Sequence, residues 1–158
     1  MHISNLKIKN KVVTQINIHE SDLTFHKHFN ELLSNYSSIF ILTQESLSDS
    51  ILNNIKMKNA PKIKSFILED AEKCKSEKQL KEILNFLLIN QCNKDSLIVG
   101  IGGGCVSDIT GFVSSIYMRG IKHVLIPTTL LGMVDASIGG KTAINYNNIR
   151  NLVGTIKH

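Results

Sequence analysis

Paired cysteines, proline-rich joints and long apolar runs are missing from this 158-residue chain, and each absence removes a class of protein. The three cysteines, Cys74, Cys92 and Cys105, form no CxxC pair and leave an odd number, which argues against a disulfide framework or a zinc knuckle. A reducing, cytoplasmic setting fits them best. No apolar run approaches the roughly 18 residues that a membrane span needs, and the start MHISNLKIKN has no apolar signal core, so a soluble protein without membrane partners is expected. With only two prolines, Pro61 and Pro127, and no repeat or low-complexity stretch, nothing marks an internal boundary, and residues 1–158 read as one domain. Lysine and arginine outnumber aspartate and glutamate by 18 to 13, yet the lysines are scattered from Lys7 to Lys157 without a basic block or interleaved aromatics. No nucleic-acid partner is expected; small anionic ligands suit this charge balance.

What the chain does have is a hydrophobic content of 42%, and a domain of this size buries roughly 68 to 70% of its unfolded surface. The apolar runs SIFILT (38–43), KSFILE (64–69), SLIVGIGGG (96–104) and HVLIPTT (123–129) have strand length. Helical stretches separate them. One runs from the end of the first strand to about residue 58 with Leu47, Ile51, Leu52 and Ile55 on one face. The clearest is SEKQLKEILNFLLIN (76–90), with Ser76 as N-cap and Leu80, Ile83, Leu84, Leu87 and Leu88 as its buried stripe. Strands that are nearly all apolar and alternate with helices indicate an α/β fold, Rossmann-like, with a mostly parallel sheet covered by helices on both faces. Near the start, VVTQINIH alternates like a strand and FHKHFNELL is patterned like a helix.

Ligands of such sheets bind at the carboxyl ends of the strands. There the third strand delivers GIGGGCVSD, whose glycines either bring backbone N–H groups close to a pyrophosphate at a helix starting near Val106 or permit tight strand-to-helix packing. The second strand delivers EDAEKCK, where Glu72 can accept from sugar hydroxyls and Lys75 can pair with phosphate. After the fourth strand, Thr128 and Thr129 can cap the next helix or bind a ligand. DASIGGKT (135–142) looks like a P-loop, GxxxxGK[ST], but Asp135 stands where that loop needs glycine and would face a phosphate. The concentration of Asp135, Lys141, Arg150 and Asn151 around a GlyGly pair suits a polyhydroxylated, anionic substrate instead. His26 and His28 are two apart, diverge on a helix, and are not expected to hold a metal.

The order EDAEKCKS, GGGCVSDITGF, YMRGI, IPTTLLGMVDASIGGKTAIN and RNLVG, over residues 40 to 157, resembles the N-terminal half of the 3-dehydroquinate synthases, of the sugar-phosphate cyclase superfamily. The resemblance implies conversion of 3-deoxy-D-arabino-heptulosonate 7-phosphate to 3-dehydroquinate and phosphate in the shikimate pathway. NAD, the implied cofactor, is reduced and reoxidised within each turnover. It implies cofactor contacts from Asp70, Ala71, Glu72, Lys73, Cys74 and Lys75, from the turn Gly103, Gly104, Cys105, Val106, Ser107 and Asp108, and from Thr128, Thr129, Lys141 and Arg150. Asp135, Lys141 and Asn151 resemble substrate-binding positions, and Arg119 resembles an arginine that reaches a neighbouring subunit, so a homodimer is implied for the full-length enzyme. Ala71 replaces the usual glycine before Glu72, Ser107 the glycine before Asp108, Gln44 an aspartate after Thr43, and Arg150 a lysine before Asn151. The family continues into a helical domain whose glutamate and two histidines bind a divalent metal, zinc or cobalt. This chain holds none of that domain and is expected to be a fragment, inactive alone and without metal ligands of its own. Three alternatives share these features: another sugar-phosphate cyclase, a metal-dependent alcohol or glycerol dehydrogenase, and a silent nucleotide-binding module. The dehydrogenases usually follow the turn with Asp, Ala and Lys, whereas Asp108 leads here into Ile109 and Thr110.

Overall fold

The computed structural model describes residues 1–8, 11–48 and 62–157. Two antiparallel strands, β1 (His2–Ile8) and β2 (Lys11–Ile18), form a separate hairpin with an irregularity between Leu6 and Lys7. Helix α1 (Asp22–Leu33) follows, its first turn capped by the Ser21 side chain, which accepts from the Thr24 N–H. The sequence patterns at VVTQINIH and FHKHFNELL are thus realised as β2 and α1.

The central sheet is parallel throughout, with the order β4-β3-β5-β6. Its strands are β3 (Ser38–Gln44), β4 (Lys62–Leu68), β5 (Ser96–Gly102) and β6 (Lys122–Pro127). Every residue of β5 is buried, as a strand covered on both faces requires. Side chains alternate between two cores. Ile39, Ile41, Leu97 and Val99 meet Phe29 and Leu33 of α1 on one face. On the other, Phe40, Leu42 and Ile98 meet α2 (Glu77–Ile89) and α3 (Gly104–Ile116) through Ile83, Leu87, Val106 and Ile109. Helices therefore flank the sheet on both sides, as the strand pattern predicts.

Ser76 caps α2 by accepting from the Gln79 N–H at 3.2 Å. One member of its expected stripe is wrong: Leu88 is 68% exposed. Phe86 packs inward in its place, edge-on to Phe40 at 5.9 Å and tilted against Phe66 at 5.3 Å. Ile51, Leu52 and Ile55 of the expected earlier helix lie outside the described residues, although residues 45–48 are helical.

Helix α3 begins at Gly104, with Gly103 as its cap, two residues before the expected Val106. A Cβ on Gly100 would lie 2.4 Å from Thr110 Oγ1, and one on Gly102 would lie 2.5 Å from Val106 Cγ2, so these two glycines let α3 rest on β5. After β6, residues 130–136 form a short helical segment whose last part, Gly132–Ala136, is a wide π turn. The chain then makes a second hairpin, β7 (Lys141–Tyr146) and β8 (Ile149–Ile156). KTAIN and RNLVG therefore lie in strands, and Lys141 opens β7 directly after the GlyGly pair. The signal was present: Asn147 and Asn148 take φ of 47° and 63° at the hairpin tip, the left-handed geometry that asparagine tolerates in two-residue turns.

Candidate functional site

The carboxyl ends of β4, β5 and β6 deliver three segments to one edge of the sheet, and the β7–β8 hairpin lies over them. After β4, residues Ala71–Lys75 form a 3₁₀ turn. Ala71 sits at φ 50°, a left-handed backbone that glycine adopts freely and alanine does not. The alanine at this position thus works against its own backbone geometry. Within the turn, Cys74 is fully buried in the core and Lys75 is 2% exposed.

A buried lysine needs partners, and Lys75 has them. Its Nζ donates to Asp108 Oδ2 at 2.5 Å and to Asn151 Oδ1, and lies 3.8 Å from Glu72 Oε1. Glu72 is held in turn: Asn145 Nδ2 donates to its Oε1 at 2.9 Å, and the Cys105 thiol to its Oε2 at 3.2 Å. Asn145 also accepts, through Oδ1, the Asn151 backbone N–H at 3.0 Å. Glu72, Lys75, Asp108 and Asn151, separated by up to 79 positions in sequence, are thereby joined in one network.

The two carboxylates of this network shift in opposite directions. The hydrogen bond from Asn145 is the main reason that Glu72 titrates below its ordinary range, helped by Cys105 and by the charges of Lys75 and Arg150 against the opposing effect of burial. Asp108 titrates above its ordinary range because its burial, with the negative charges of Glu72 and Asp135, outweighs the Lys75 ion pair. Burial likewise pushes the Cys74 thiol up to about 12 and the Cys105 thiol to about 11. Beside the network is an open cavity of about 460 Å³ lined by Glu72, Lys73, Ser76, Asn145 and Arg150 among others.

Around the glycine turn the surroundings are tight but not closed. A Cβ on Gly103 would lie 3.3 Å from Thr129 Cγ2, and one on Gly104 would lie 3.5 Å from Ala136 Cβ. Ser107 lies in the first turn of α3 with its hydroxyl folded back on the Gly103 carbonyl at 3.3 Å. Val106 and Cys74 are buried side chains, so any ligand contact from them is through backbone. Thr129 caps the 130–136 helix, its Oγ1 accepting from the Gly132 N–H at 3.1 Å, and the Thr128 N–H donates to the Gly102 carbonyl at 2.9 Å. Capping thus occupies one of the two threonines.

Asp70, Lys73, Asp135, Arg119, Lys141 and Arg150 make none of the side-chain hydrogen bonds of this network. Lys141 and Asp135 are exposed, and Asp135 uses its carbonyl to accept from Ile138 and Gly139. Arg119 is exposed at φ 62° in a tight turn after α3. Asn145, which the sequence places in a motif without indicating a role, proves central. Among the described residues no three His, Cys, Asp or Glu side chains are grouped so as to hold a metal ion; His28 approaches His19, with ring centroids 5.4 Å apart. No described helix is long and apolar enough to cross a membrane.

Comparison with known proteins places this geometry in a family. The 3-dehydroquinate synthase of Clostridium tetani (strain Massachusetts / E88) is 41% identical over 120 residues, covering 75% of this chain and 32% of the relative. The 3-dehydroquinate synthase of Francisella tularensis subsp. tularensis (strain WY96-3418) is 36% identical over 155 residues, covering 96% of this chain and 43% of the relative. This chain therefore spans between about a third and two fifths of the length of these two relatives. The crystal structure of a 2-deoxy-scyllo-inosose synthase, complexed with carbaglucose-6-phosphate, NAD+ and Co2+, shares the fold with a TM-score of 0.75 at 20% identity, over 84% of this chain and 38% of that one. The model of the 3-dehydroquinate synthase N-terminal family matches residues 65–158, the stretch that carries the glycine turn, the buried lysine and the hairpin, and the chain belongs to that family.

Proposed function

We propose that this chain is the nucleotide-binding half of a cytoplasmic 3-dehydroquinate synthase, which converts 3-deoxy-D-arabino-heptulosonate 7-phosphate to 3-dehydroquinate and phosphate with NAD as a recycled cofactor. The observation that carries this reading is the convergence of Glu72, Lys75, Asp108 and Asn151 on the carboxyl edge of the parallel sheet, where ligands of such sheets bind.

The residues present fit a dinucleotide. Gly103 and Gly104 begin α3 without side chains, Ser107 turns its hydroxyl away onto Gly103, and the first N–H groups of α3 offer partial positive charge to a pyrophosphate. Glu72, held as a carboxylate by Asn145 and Cys105, accepts from sugar hydroxyls. Lys75 supplies a fixed positive charge beneath them, with Asp108 holding it in place. When bound, NAD supplies a hydride acceptor, so that the oxidised substrate carbon acidifies its neighbour and phosphate can leave. Lys141 and Asp135, exposed at the two ends of the GlyGly segment, together with Asn151, hold the anionic, hydroxylated substrate. Arg119, exposed in its turn, serves the neighbouring subunit's site in a homodimer of the full-length enzyme. A divalent metal, zinc or cobalt, does not fit the described residues; its ligands belong to the remainder of the enzyme.

The test is NAD-dependent phosphate release by the full-length protein. Lys141→Ala is expected to lower turnover about a hundredfold, the loss of roughly 2.7 kcal/mol of transition-state stabilisation. Stability is expected to stay within about 0.5 kcal/mol of the parent, as for an exposed surface residue. Phosphate release without NAD, or a Lys141→Ala variant within twofold of its parent, would remove this reading.

A further inference from the structure

The register of the second hairpin is broken at one point. Ile144 faces Val153 and Tyr146 faces Ile149, so the single residue Asn145 of β7 is opposed by Arg150, Asn151 and Leu152 of β8. Such a bulge leaves strand N–H groups without their ladder partners and re-aims the side chains that it carries. Here it carries Arg150 and Asn151, with Asn151 at φ 55°. The missing ladder acceptor is supplied by a side chain: Asn145 Oδ1 takes the Asn151 N–H at 3.0 Å. The other end of the same amide donates to Glu72 Oε1 at 2.9 Å. One planar group thus ties the bulge to the turn after β4, and both of its anchor points flank Lys75, whose Nζ is bonded to Asn151.

We infer that Asn145 is a positioning residue, whose amide fixes Asn151 and Glu72 relative to one another so that the bulge and the 71–75 turn present a single nucleotide site. This rests on the function proposed above. An amide suits the task because it donates at one end and accepts at the other, whereas a carboxylate could only accept and a leucine could do neither. Asn145 need not touch a ligand. It holds Glu72 in orientation and ionisation, and through Asn151 it holds an acceptor for Lys75.

The test compares Asn145→Ala and Asn145→Asp with the parent. In the 158-residue chain, NMR follows the Glu72 carboxyl titration and hydrogen exchange at the Asn151 amide, with the Ile98 and Val99 amides of β5 as internal references. Asn145→Ala is expected to raise the Glu72 midpoint and speed Asn151 exchange at least tenfold, leaving Ile98 and Val99 unchanged. Asn145→Asp, which keeps the acceptor and loses the donor, is expected to restore Asn151 protection while the Glu72 midpoint stays high. In the full-length protein, NAD affinity is expected to fall at least fivefold in the alanine variant. Glu72 and Asn151 readouts within twofold of the parent, or changes that appear equally at Ile98 and Val99, would overturn the positioning role. A parent enzyme that fails to bind NAD would instead remove the functional reading, and the two chain readouts would still decide whether Asn145 couples the bulge to the turn.

Discussion

Lys75 and Asp108 form an ion pair at the foot of α3, with Nζ to Oδ2 at 2.5 Å and side chains that are 3% and 24% exposed. The asymmetry in exposure sets how each half behaves when the other is removed. Asp108→Asn keeps an acceptor but removes the close negative charge, leaving a buried ammonium group whose nearest carboxylate is Glu72 at 3.8 Å, and is expected to cost about 3 kcal/mol of unfolding free energy. Lys75→Met leaves a carboxylate nearer to water that can take up a proton, and is expected to cost less. The double variant should recover most of the loss, since it removes both charges. Urea unfolding of the four proteins measures this cycle; an Asp108→Asn variant within about 0.5 kcal/mol of the parent would show that the pair has little structural weight.

The pH dependence follows from the two opposed carboxylates. Glu72 is depressed in the folded state, so its stabilising share is complete above its unfolded value of 4.5 and is lost as pH falls through the lower, folded midpoint. Asp108 is raised above 3.8, so folding carries a penalty at neutral pH that is relieved as pH falls through its folded midpoint. Carboxyl NMR titration should place Glu72 below 4.5 and Asp108 above 3.8. In Asn145→Leu the main cause of the Glu72 depression is gone, and its midpoint should rise. An unchanged Glu72 midpoint would mean that the asparagine contact is not what holds the carboxylate ionised.

Cysteine reactivity should be low in the folded protein. Thiolate, not thiol, is the reacting species, and burial pushes the Cys74 midpoint to about 12 and those of Cys92 and Cys105 to about 11. At pH 8 a midpoint near 11 leaves on the order of 0.1% thiolate, so a colorimetric thiol reagent should modify the native protein slowly. All three cysteines should react at once in guanidinium chloride. A fast-reacting thiol in the native state would contradict the burial of Cys74 and Cys92 or the bond from Cys105 to Glu72.

The parallel sheet was legible because its strands are mostly apolar, most fully in β5, where all seven positions of Ser96–Gly102 are buried. The cap at Ser76 was readable because a cap is a local interaction, spanning three residues. Leu88 was misplaced because a helical stripe drawn from spacing alone cannot tell which side Phe86 will take, and Phe86 is decided by Phe40 and Phe66 across the sheet. The resemblance of the motifs named the positions that meet at the site, but not how they meet. Asn145 and Glu72 are 73 positions apart, and their bond depends on a hairpin bulge that no short window encodes.

The glycines of this site divide into two kinds, and substitution should separate them. A Cβ on Gly111 would stand 2.1 Å from Thr142 Cγ2, where α3 meets β7. Neither neighbour can give easily, since Thr142 is 5% exposed and belongs to the strand that carries Asn145. Gly111→Ala is therefore expected to destabilise by about 1 to 3 kcal/mol through overpacking. Because it pushes on β7, it should also loosen the bulge at Asn151. Gly103→Ala meets only Thr129 Cγ2 at 3.3 Å, on an exposed residue that can shift, so its effect on stability should be within about 1 kcal/mol. Its methyl group nevertheless stands at the cap of α3, where the proposed pyrophosphate approaches the backbone, and NAD affinity in the full-length protein should fall at least tenfold. Thermal unfolding and NAD titration of the two variants measure both quantities. If Gly111→Ala unfolds like the parent, α3 and β7 are not closely packed; if Gly103→Ala binds NAD like the parent, the dinucleotide does not approach α3 at its cap.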